Sequence, residues 1–219
     1  MTFYPQLQEA TAAERDTLLA APVIAAAFAG SVTRQHYLNF LTRAYHHVKH
    51  TVPLLMACGA RLPDRQEWLR TAVAHYVEEE LGHHEWILND IAAAGGDVAA
   101  VRASTPDFDT DVMVGYAYDT VMRRNPVGLF GMVYVLEGTS INLASNAARA
   151  LQSSLDLPPE AFTYLSSHGA LDLEHIDDFA HLVNRFDSAD DRAAVVSHAQ
   201  TFFRLYGNVL RGIDLGASA

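Results

Sequence analysis

The sequence predicts an all-α protein, a bundle of about seven to eight helices formed by a single domain over residues 1–219. Apolar residues recur at intervals of three and four almost everywhere, whereas alternating runs of β-branched residues are missing. Apolar residues make up 50% of the chain. Charged residues are spread among them without long runs of one sign, which is typical of a globular protein.

Glycine, proline and capping residues divide the chain into eight predicted helices. Asp64, Asn125 and Ser188 resemble N-terminal caps, because each stands just before an apolar helical pattern. Gly95 resembles a C-terminal stop. The predicted helices cover residues 5–19, 22–29, 33–60, 64–94, 108–123, 127–153, 159–184 and 189–213.

Two of the predicted helices contain a residue that disfavours a regular helix. Pro53 lacks a backbone N–H and predicts a kink in helix 33–60. Gly169 costs about 1 kcal/mol relative to alanine in a helix interior. It therefore predicts either a bend in helix 159–184 or its division into two helices.

Charge and terminal composition exclude several classes of function. The formal net charge of −11, without a basic stripe, argues against a nucleic-acid partner. The N-terminus lacks the features of a secretory signal, and the apolar stretch 18–30 is too short, and too broken by Pro22, to span a membrane. The single cysteine, Cys58, lies in an apolar run, and we interpret it as a buried thiol rather than a nucleophile. We predict a cytoplasmic protein.

The most informative motif is formed by His168, Asp172 and His175. Their spacings of four and three residues place all three side chains within roughly 60° of one another on a helix. Two imidazoles and a carboxylate on one stripe are suitable ligands for iron or manganese. A solvated polar face is the alternative, since Asp178 and His181 repeat the pattern on another part of the same helix.

A second pair of candidate metal ligands precedes this motif. Glu80 and His83 have the Glu-x-x-His spacing that carboxylate-bridged dinuclear sites use inside helical bundles. Glu79 is the alternative carboxylate because it also falls on the face of His83. His84 is expected to be a neighbour of the site or to be exposed.

Glu137 is the third candidate ligand, because it stands in an otherwise apolar stretch of about four helical turns. A buried carboxylate there is costly unless it is paired or bound to a metal. No arginine lies within a turn of it on its own helix, which favours a ligand over an ion pair. Tyr134, one turn earlier, is a candidate catalytic residue that could hydrogen-bond near the site.

Several further residues are candidates for a substrate pocket. His46 and His50 are one turn apart, and Lys49 between them is the only lysine in the chain. Either these residues line the pocket, or the sequence simply uses arginine for its surface cations. Tyr76 is also a pocket candidate, as are Trp86, Tyr134 and Phe130. The alternative for all four is packing in the core, which is usual for aromatic residues at helical spacing.

Taken together, these motifs resemble those of the heme-oxygenase-like helical superfamily, which contains thiaminase II (TenA), pyrroloquinoline-quinone synthase and the heme-oxygenase-like diiron oxidases and oxygenases. The last group is the most similar. Its members carry a Glu and a His on one helix, a lone Glu on a later helix, and then His-x3-Asp-x2-His. The matching residues here are Glu80, His83, Glu137, His168, Asp172 and His175.

The resemblance implies a TenA-like bundle that activates O2 at two iron ions, or at one iron and one manganese ion, with Glu137 as the bridging ligand. The implied reactions are N-oxygenation, desaturation or oxidative C–C cleavage of a small amino-acid-like or fatty-acid-like substrate. An external electron donor and a homodimer are further expectations from the same resemblance.

Two other activities of the superfamily fit the sequence less well. Thiaminase II needs a cysteine on a mid-chain helix, whereas Cys58 lies on an early one. Heme is disfavoured because Glu137 and its helix lie where the heme face would sit. The main alternative is a metal-independent protein similar to TenA or pyrroloquinoline-quinone synthase that binds a ligand or acts as a cofactorless oxidase. A scaffold for a macromolecular partner is the weakest alternative, since no recognition motif is present.

Overall fold

The computed structural model describes residues 2–216, except for the side chains of residues 140–145 and 168–176. Within this part of the chain all regular structure is helical, as the sequence predicts, with twelve α-helices, three short 3₁₀ turns and no strand. The α-helices are α1 (Phe3–Ala10), α2 (Ala12–Leu19), α3 (Pro22–Phe28), α4 (Arg34–Val48), α5 (Thr51–Arg61), α6 (Glu67–Glu80), α7 (His83–Ala93), α8 (Val98–Ala103), α9 (Phe108–Arg123), α10 (Leu129–Leu155), α11 (Thr163–Val183) and α12 (Ala189–Arg211).

Two of the three predicted N-terminal capping residues act as caps, whereas Asp64 is the first residue of a 3₁₀ turn rather than an N-cap. The side chain of Ser188 accepts a hydrogen bond from the N–H of Asp191, and that of Asn125 accepts one from Val127. Gly95 follows the end of α7 with a φ of 72°, a conformation that glycine adopts without strain. α9 has the predicted bounds, and α11 is one helix rather than two.

Two of the long predicted helices are wrong because each is broken by a turn. Helix 33–60 divides at Lys49 and His50 into α4 and α5. Pro53 then falls in the first turn of α5, where a missing N–H is harmless. Helix 64–94 divides at Gly82, whose φ of 90° is left-handed and cannot continue an α-helix. Two further features were not predicted from the sequence: α8, and the break at Thr11 between α1 and α2.

α10 is the central element of the bundle, since it packs against α11, α12 and α3. The close approach of α10 to α12 depends on Gly131. A Cβ atom at this position would lie 2.6 Å from the backbone N of Ala199 and 2.6 Å from the backbone O of Val195. None of the described helices combines the length and the apolar character that crossing a membrane requires.

The start of α11 is held by a residue of α7. Asp90 is fully buried, and its Oδ1 accepts a hydrogen bond from the N–H of Thr163 at 3.2 Å while its Oδ2 accepts one from Tyr164 at 2.9 Å. The hydroxyl of Thr163 also donates to this carboxylate. Burial raises the pKa of Asp90, and these hydrogen bonds oppose the rise. Asp90 thus supplies from another helix the N-terminal cap that the sequence beside α11 does not provide.

Candidate metal centre and its cavity

A cavity of about 170 Å³ is enclosed by residues of α3, α4, α5, α6, α10, α11 and α12. Most of its wall is apolar, and α3 alone contributes Val23, Ile24, Ala27 and Phe28. Two carboxylates, Glu80 and Glu137, belong to the same wall. The other polar residues of the wall are His36, Tyr37, His47, Thr51, Tyr76, Thr139, Tyr164 and Tyr206.

Glu80 and His83 meet across the break between α6 and α7 rather than on one helix face. The left-handed Gly82 turns the chain so that His83 Nδ1 lies 3.0 Å from Glu80 Oε2. His83 is buried and its ring packs on Trp86 at a centroid distance of 4.2 Å. Because a carboxylate only accepts, His83 Nδ1 carries the proton of this hydrogen bond. In the neutral imidazole, Nε2 is then the nitrogen that bears the lone pair, as a metal ligand requires.

The geometry favours Glu80 over the alternative Glu79. Glu79 pairs with His75 one turn earlier on α6, at 3.1 Å, and it does not belong to the cavity wall. His84 is partly exposed and lies 3.4 Å from Glu85. It is not among the residues of the cavity wall.

Glu137 lies on the cavity wall with its Oε2 atom buried. Its negative charge acts on two tyrosines, Tyr76 of α6 and Tyr4 of α1. Burial first, and then Glu137 and other carboxylates, raise the pKa of Tyr76 far above its ordinary value. Burial, Tyr134, Asp177 and Glu137 raise the pKa of Tyr4 to about 12. Both phenols therefore stay protonated at neutral pH and well above it, so each can donate a hydrogen bond.

Tyr134, the predicted catalytic tyrosine, does not belong to the cavity wall. It is buried in an aromatic cluster, stacked on Phe179 at a centroid distance of 5.9 Å and edge-on to Tyr4 at 6.1 Å. At about 100° per residue, Val133 and Leu136 of the wall lie on one side of Glu137, and Tyr134 lies about 60° to the other side. Its ring therefore contacts α1 and α11. No local pattern in the sequence points to Tyr4, whose contacts with this cluster join the start of the chain to α10 and α11.

His46, Lys49 and His50 also lie outside the cavity wall, so the structure does not place them in the predicted pocket. The wall instead contains His47 and Thr51, which are likewise four residues apart. The break between α4 and α5 directs the neighbouring stripe of His46 and His50 towards α8 and α9. Tyr76, the remaining pocket candidate, does line the cavity.

A hydrogen-bond network joins His46 of that stripe to Ser104 and Lys49. Ser104 donates its hydroxyl proton to Val101 O at 2.8 Å, so His46 Nε2 donates to Ser104 Oγ at 2.8 Å. His46 Nδ1 then accepts from Lys49 Nζ at 3.1 Å. Burial and the charge of Lys49 lower the pKa of His46. A neutral His46 beside a cation is a poor general base, which argues against a Ser–His catalytic pair here.

The described residues do not by themselves form a closed metal site. Among the described side chains, no three histidine, cysteine, aspartate or glutamate residues group closely enough to hold a metal ion. His168, Asp172 and His175, the other half of the predicted ligand set, lie outside the described side chains. Glu80, His83 and Glu137 are thus the part of that set which the structure describes, with two of the three on the cavity wall.

Comparison with known proteins identifies what the chain is similar to. A family model described as "iron-containing redox enzyme" matches residues 38–207. A search of curated protein sequences gives no significant match. Among solved structures, a Shewanella denitrificans OS217 protein, described as a domain of unknown function with a heme oxygenase-like fold, is 26% identical. Its TM-score is 0.85, and the match covers 96% of this chain and 91% of that protein.

Two more distant structures show the same fold. A TenA homologue from Pseudomonas syringae pv. tomato DC3000 is 11% identical with a TM-score of 0.80, covering 96% of this chain and 92% of that one. Heme oxygenase-1 from Synechocystis sp. PCC6803, solved with heme, is 11% identical with a TM-score of 0.76, covering 98% and 93%. The all-α class predicted from the sequence is therefore a heme oxygenase-like and TenA-like bundle.

Proposed function

The chain belongs to the family of iron-containing redox enzymes, and from this premise we propose that it is a non-heme oxidase or oxygenase that uses O2 and two metal ions. The metals are two iron ions, or one iron and one manganese ion. The observation that carries the proposal is the presence of Glu80 and Glu137 on one apolar cavity wall, with His83 hydrogen-bonded to Glu80.

The donor types fit such a centre. Carboxylate oxygen and imidazole nitrogen suit iron and manganese, and the only cysteine is buried elsewhere against Pro126. Glu137 would hold metal through its carboxylate, His83 would bind through Nε2, and Glu80 would bind metal or orient His83 through its hydrogen bond. By sequence spacing, His168, Asp172 and His175 of α11 precede Phe179 by eleven, seven and four residues, and the proposal requires them to complete the set.

When bound, reduced iron supplies the electrons that activate O2 for N-oxygenation, desaturation or oxidative C–C cleavage. The protein's own residues do the rest. Tyr76 is kept protonated by burial and by the carboxylates around it, so its phenol can donate a hydrogen bond towards the cavity. The apolar wall excludes water from the substrate, which protects a reactive site from side reactions.

The same wall favours a fatty-acid-like over an amino-acid-like substrate. Its α3 part is entirely apolar, and Met132, Val133 and Leu136 extend that surface along α10. No lysine or arginine is among the described residues of the wall, so it offers an ion pair to neither substrate's carboxylate. The preference therefore rests on the alkyl chain, which an apolar wall can bury and a charged amino-acid side chain does not supply. We expect decanoate to raise the Tm of the metal-loaded protein and L-lysine to leave it unchanged. Ala27→Phe, which fills the α3 part of the cavity, should abolish the response to decanoate.

The direct test is metal content after anaerobic loading with ferrous iron and removal of unbound ions. We expect close to two iron ions per chain in the wild type, no heme absorbance, and loss of metal in Glu137→Gln and in His83→Gln. His168→Ala combined with Asp172→Ala should also lose metal. His181→Ala is the matched control on α11, because His181 is exposed and bonds its own helix backbone at Asp177.

Less than half an equivalent of iron in the wild type would overturn the proposal, as would equal losses in the control. The second candidate, a metal-independent TenA-like ligand-binding protein or cofactorless oxidase, is supported by the fold that the chain shares with the TenA homologue. It predicts that chelator and the ligand substitutions change neither turnover nor Tm. Bound metal would instead raise the Tm, and a tighter-bound metal would raise it more.

A further inference from the structure

The cavity wall carries a polar patch formed by His47 of α4, Thr51 of α5 and Tyr206 of α12. The ring of His47 contacts the ring of Tyr206 edge-on, at a centroid distance of 5.8 Å. Thr51 follows His47 by four residues, across the break between α4 and α5. The patch therefore belongs to helices that supply none of the proposed metal ligands.

The two hydroxyls of this patch are available to a bound molecule. Within the described part of the chain, no group forms a hydrogen bond with Tyr206 Oη or with Thr51 Oγ1. Tyr37, on the same wall, differs because its hydroxyl donates to Ala161 O at 2.8 Å. Burial raises the pKa of Tyr206 to about 12, so its hydroxyl keeps its proton at neutral pH and can donate it. Buried polar groups normally have a partner, and these two donors therefore indicate an acceptor on the ligand of the cavity.

Tyr206 lies at the same level of the bundle as Glu137. The close approach at Gly131 and the ring contact between Tyr134 and Phe203, at 5.9 Å, follow each other in the same direction along α10 and α12. The two helices therefore run parallel. Glu137 follows Tyr134 by three residues, and Tyr206 follows Phe203 by three, so both advance equally along the bundle axis. A ligand group close to the carboxylate of Glu137 is then also at the level of the polar patch.

The apolar α3 part of the cavity lies further along α10. Leu151 also lines the cavity, fourteen residues after Glu137 and so about 21 Å further along the helix axis. Near that end of α10, the chain just after α3 approaches Ser154, since an added Cβ at Gly30 would lie 3.4 Å from the Cβ of Ser154. The cavity thus has a polar level at Glu137 and an apolar extension towards the C-terminal end of α10.

We infer that Tyr206 and Thr51 bind the polar end of the substrate, while its alkyl chain extends along α10 towards α3. Their hydroxyls donate hydrogen bonds to an oxygen of the substrate, in place of the ion pair that the wall does not offer. The inference rests on the fatty-acid-like substrate of the proposed function, but the two contacts need no metal ion. A carboxylate head beside Glu80 and Glu137 needs bound cations to balance the charge, whereas an uncharged alcohol does not.

Isothermal titration calorimetry without oxygen tests the inference with two probes, decanoate on the ferrous-loaded protein and 1-decanol on the metal-free protein. We expect Tyr206→Phe to weaken decanoate binding by about tenfold or more, because one hydrogen bond to a charged group is lost. For the uncharged 1-decanol the loss should be about threefold. Thr51→Val should weaken both probes in the same direction, and Thr51→Ser, which keeps the hydroxyl, should bind like the wild type.

Tyr118→Phe is the matched control, because it removes a phenol hydroxyl that lies outside the cavity wall, 3.1 Å from His50 Nδ1. Octanoate tests the orientation, since a contact with the polar end should give Tyr206→Phe the same factor for octanoate as for decanoate. A larger factor for the longer chain overturns the inference, as does a Tyr206→Phe loss no greater than that of Tyr118→Phe. A wild type that binds neither probe also overturns it.

The two probes separate this inference from the metal centre. A protein that takes up no iron but binds 1-decanol through Tyr206 refutes the metal centre and supports the inference. A protein that takes up iron and binds decanoate equally well after Tyr206→Phe refutes the inference alone. Circular dichroism verifies that each variant is folded.

Discussion

Replacing Asp90 by alanine removes the cap that α7 provides to α11. Two backbone N–H groups and one hydroxyl lose their acceptor. Each hydrogen bond to a charged group contributes about 1.5–3 kcal/mol, while the substitution also removes the cost of burying a carboxylate. We expect a net loss of about 2–3 kcal/mol in the free energy of unfolding, since the recovered desolvation offsets part of the lost bonding.

For a chain of this size the loss corresponds to a Tm lower by about 4–12 °C. Urea unfolding gives the free energy, and hydrogen exchange should show faster exchange in the first turns of α11. Asp97→Ala is the matched control, because Asp97 caps only the short helix α8 through a single bond to Ala100 at 3.0 Å; it should cost about 1 kcal/mol. An Asp90→Ala variant no less stable than Asp97→Ala would show that Asp90 does not stabilise the start of α11.

Three other outcomes can be measured on the same protein. Burial lowers the pKa of His198 to about 3 from 6.5. Below about pH 6.5 the unfolded chain therefore binds a proton at this histidine and the folded chain does not, so the free energy of unfolding decreases as the pH falls. In His198→Gln, urea unfolding should show a shallower dependence of this free energy on pH between about pH 6 and 4, by up to about 1.4 kcal/mol per pH unit. Gly131→Ala should destabilise by about 1–3 kcal/mol, because its methyl group would press on the α12 backbone; an unchanged Tm would contradict this packing. Burial raises the pKa of the Cys58 thiol to about 12, so a disulfide reagent at about pH 8 should label it only in the urea-unfolded chain, and rapid labelling of the folded protein would argue against its burial.

The sequence was sufficient for the fold class and for helices whose ends carry strong local signals. α9 begins after the capping Asp107 and ends before Asn125, and both boundaries are visible as turn residues in the sequence. The break at Gly82 was not predictable in the same way, because a glycine inside a helical pattern is often tolerated. Its left-handed φ shows only in the folded chain.

The residues of the candidate site also differ in whether a local signal in the sequence identifies them. Glu80 could be identified from its Glu-x-x-His spacing to His83, and Glu137 because it is a carboxylate in an apolar stretch. Both are local properties of the sequence. His47 rather than the predicted His46 lines the cavity, because the break between α4 and α5 decides which face is directed inwards. Tyr4 could not be found at all, since its neighbours Tyr134 and Phe179 are distant in sequence.

The cavity draws its apolar end and its carboxylates from separate stretches of chain. α3 contributes four side chains to the wall and none of the proposed ligands, which belong to α6, α7, α10 and α11. Mutations between residues 22 and 28 can therefore alter the length or bulk of molecule that is accommodated while leaving the reactive groups untouched. Relatives of this protein could diverge in what they transform through drift in one seven-residue helix.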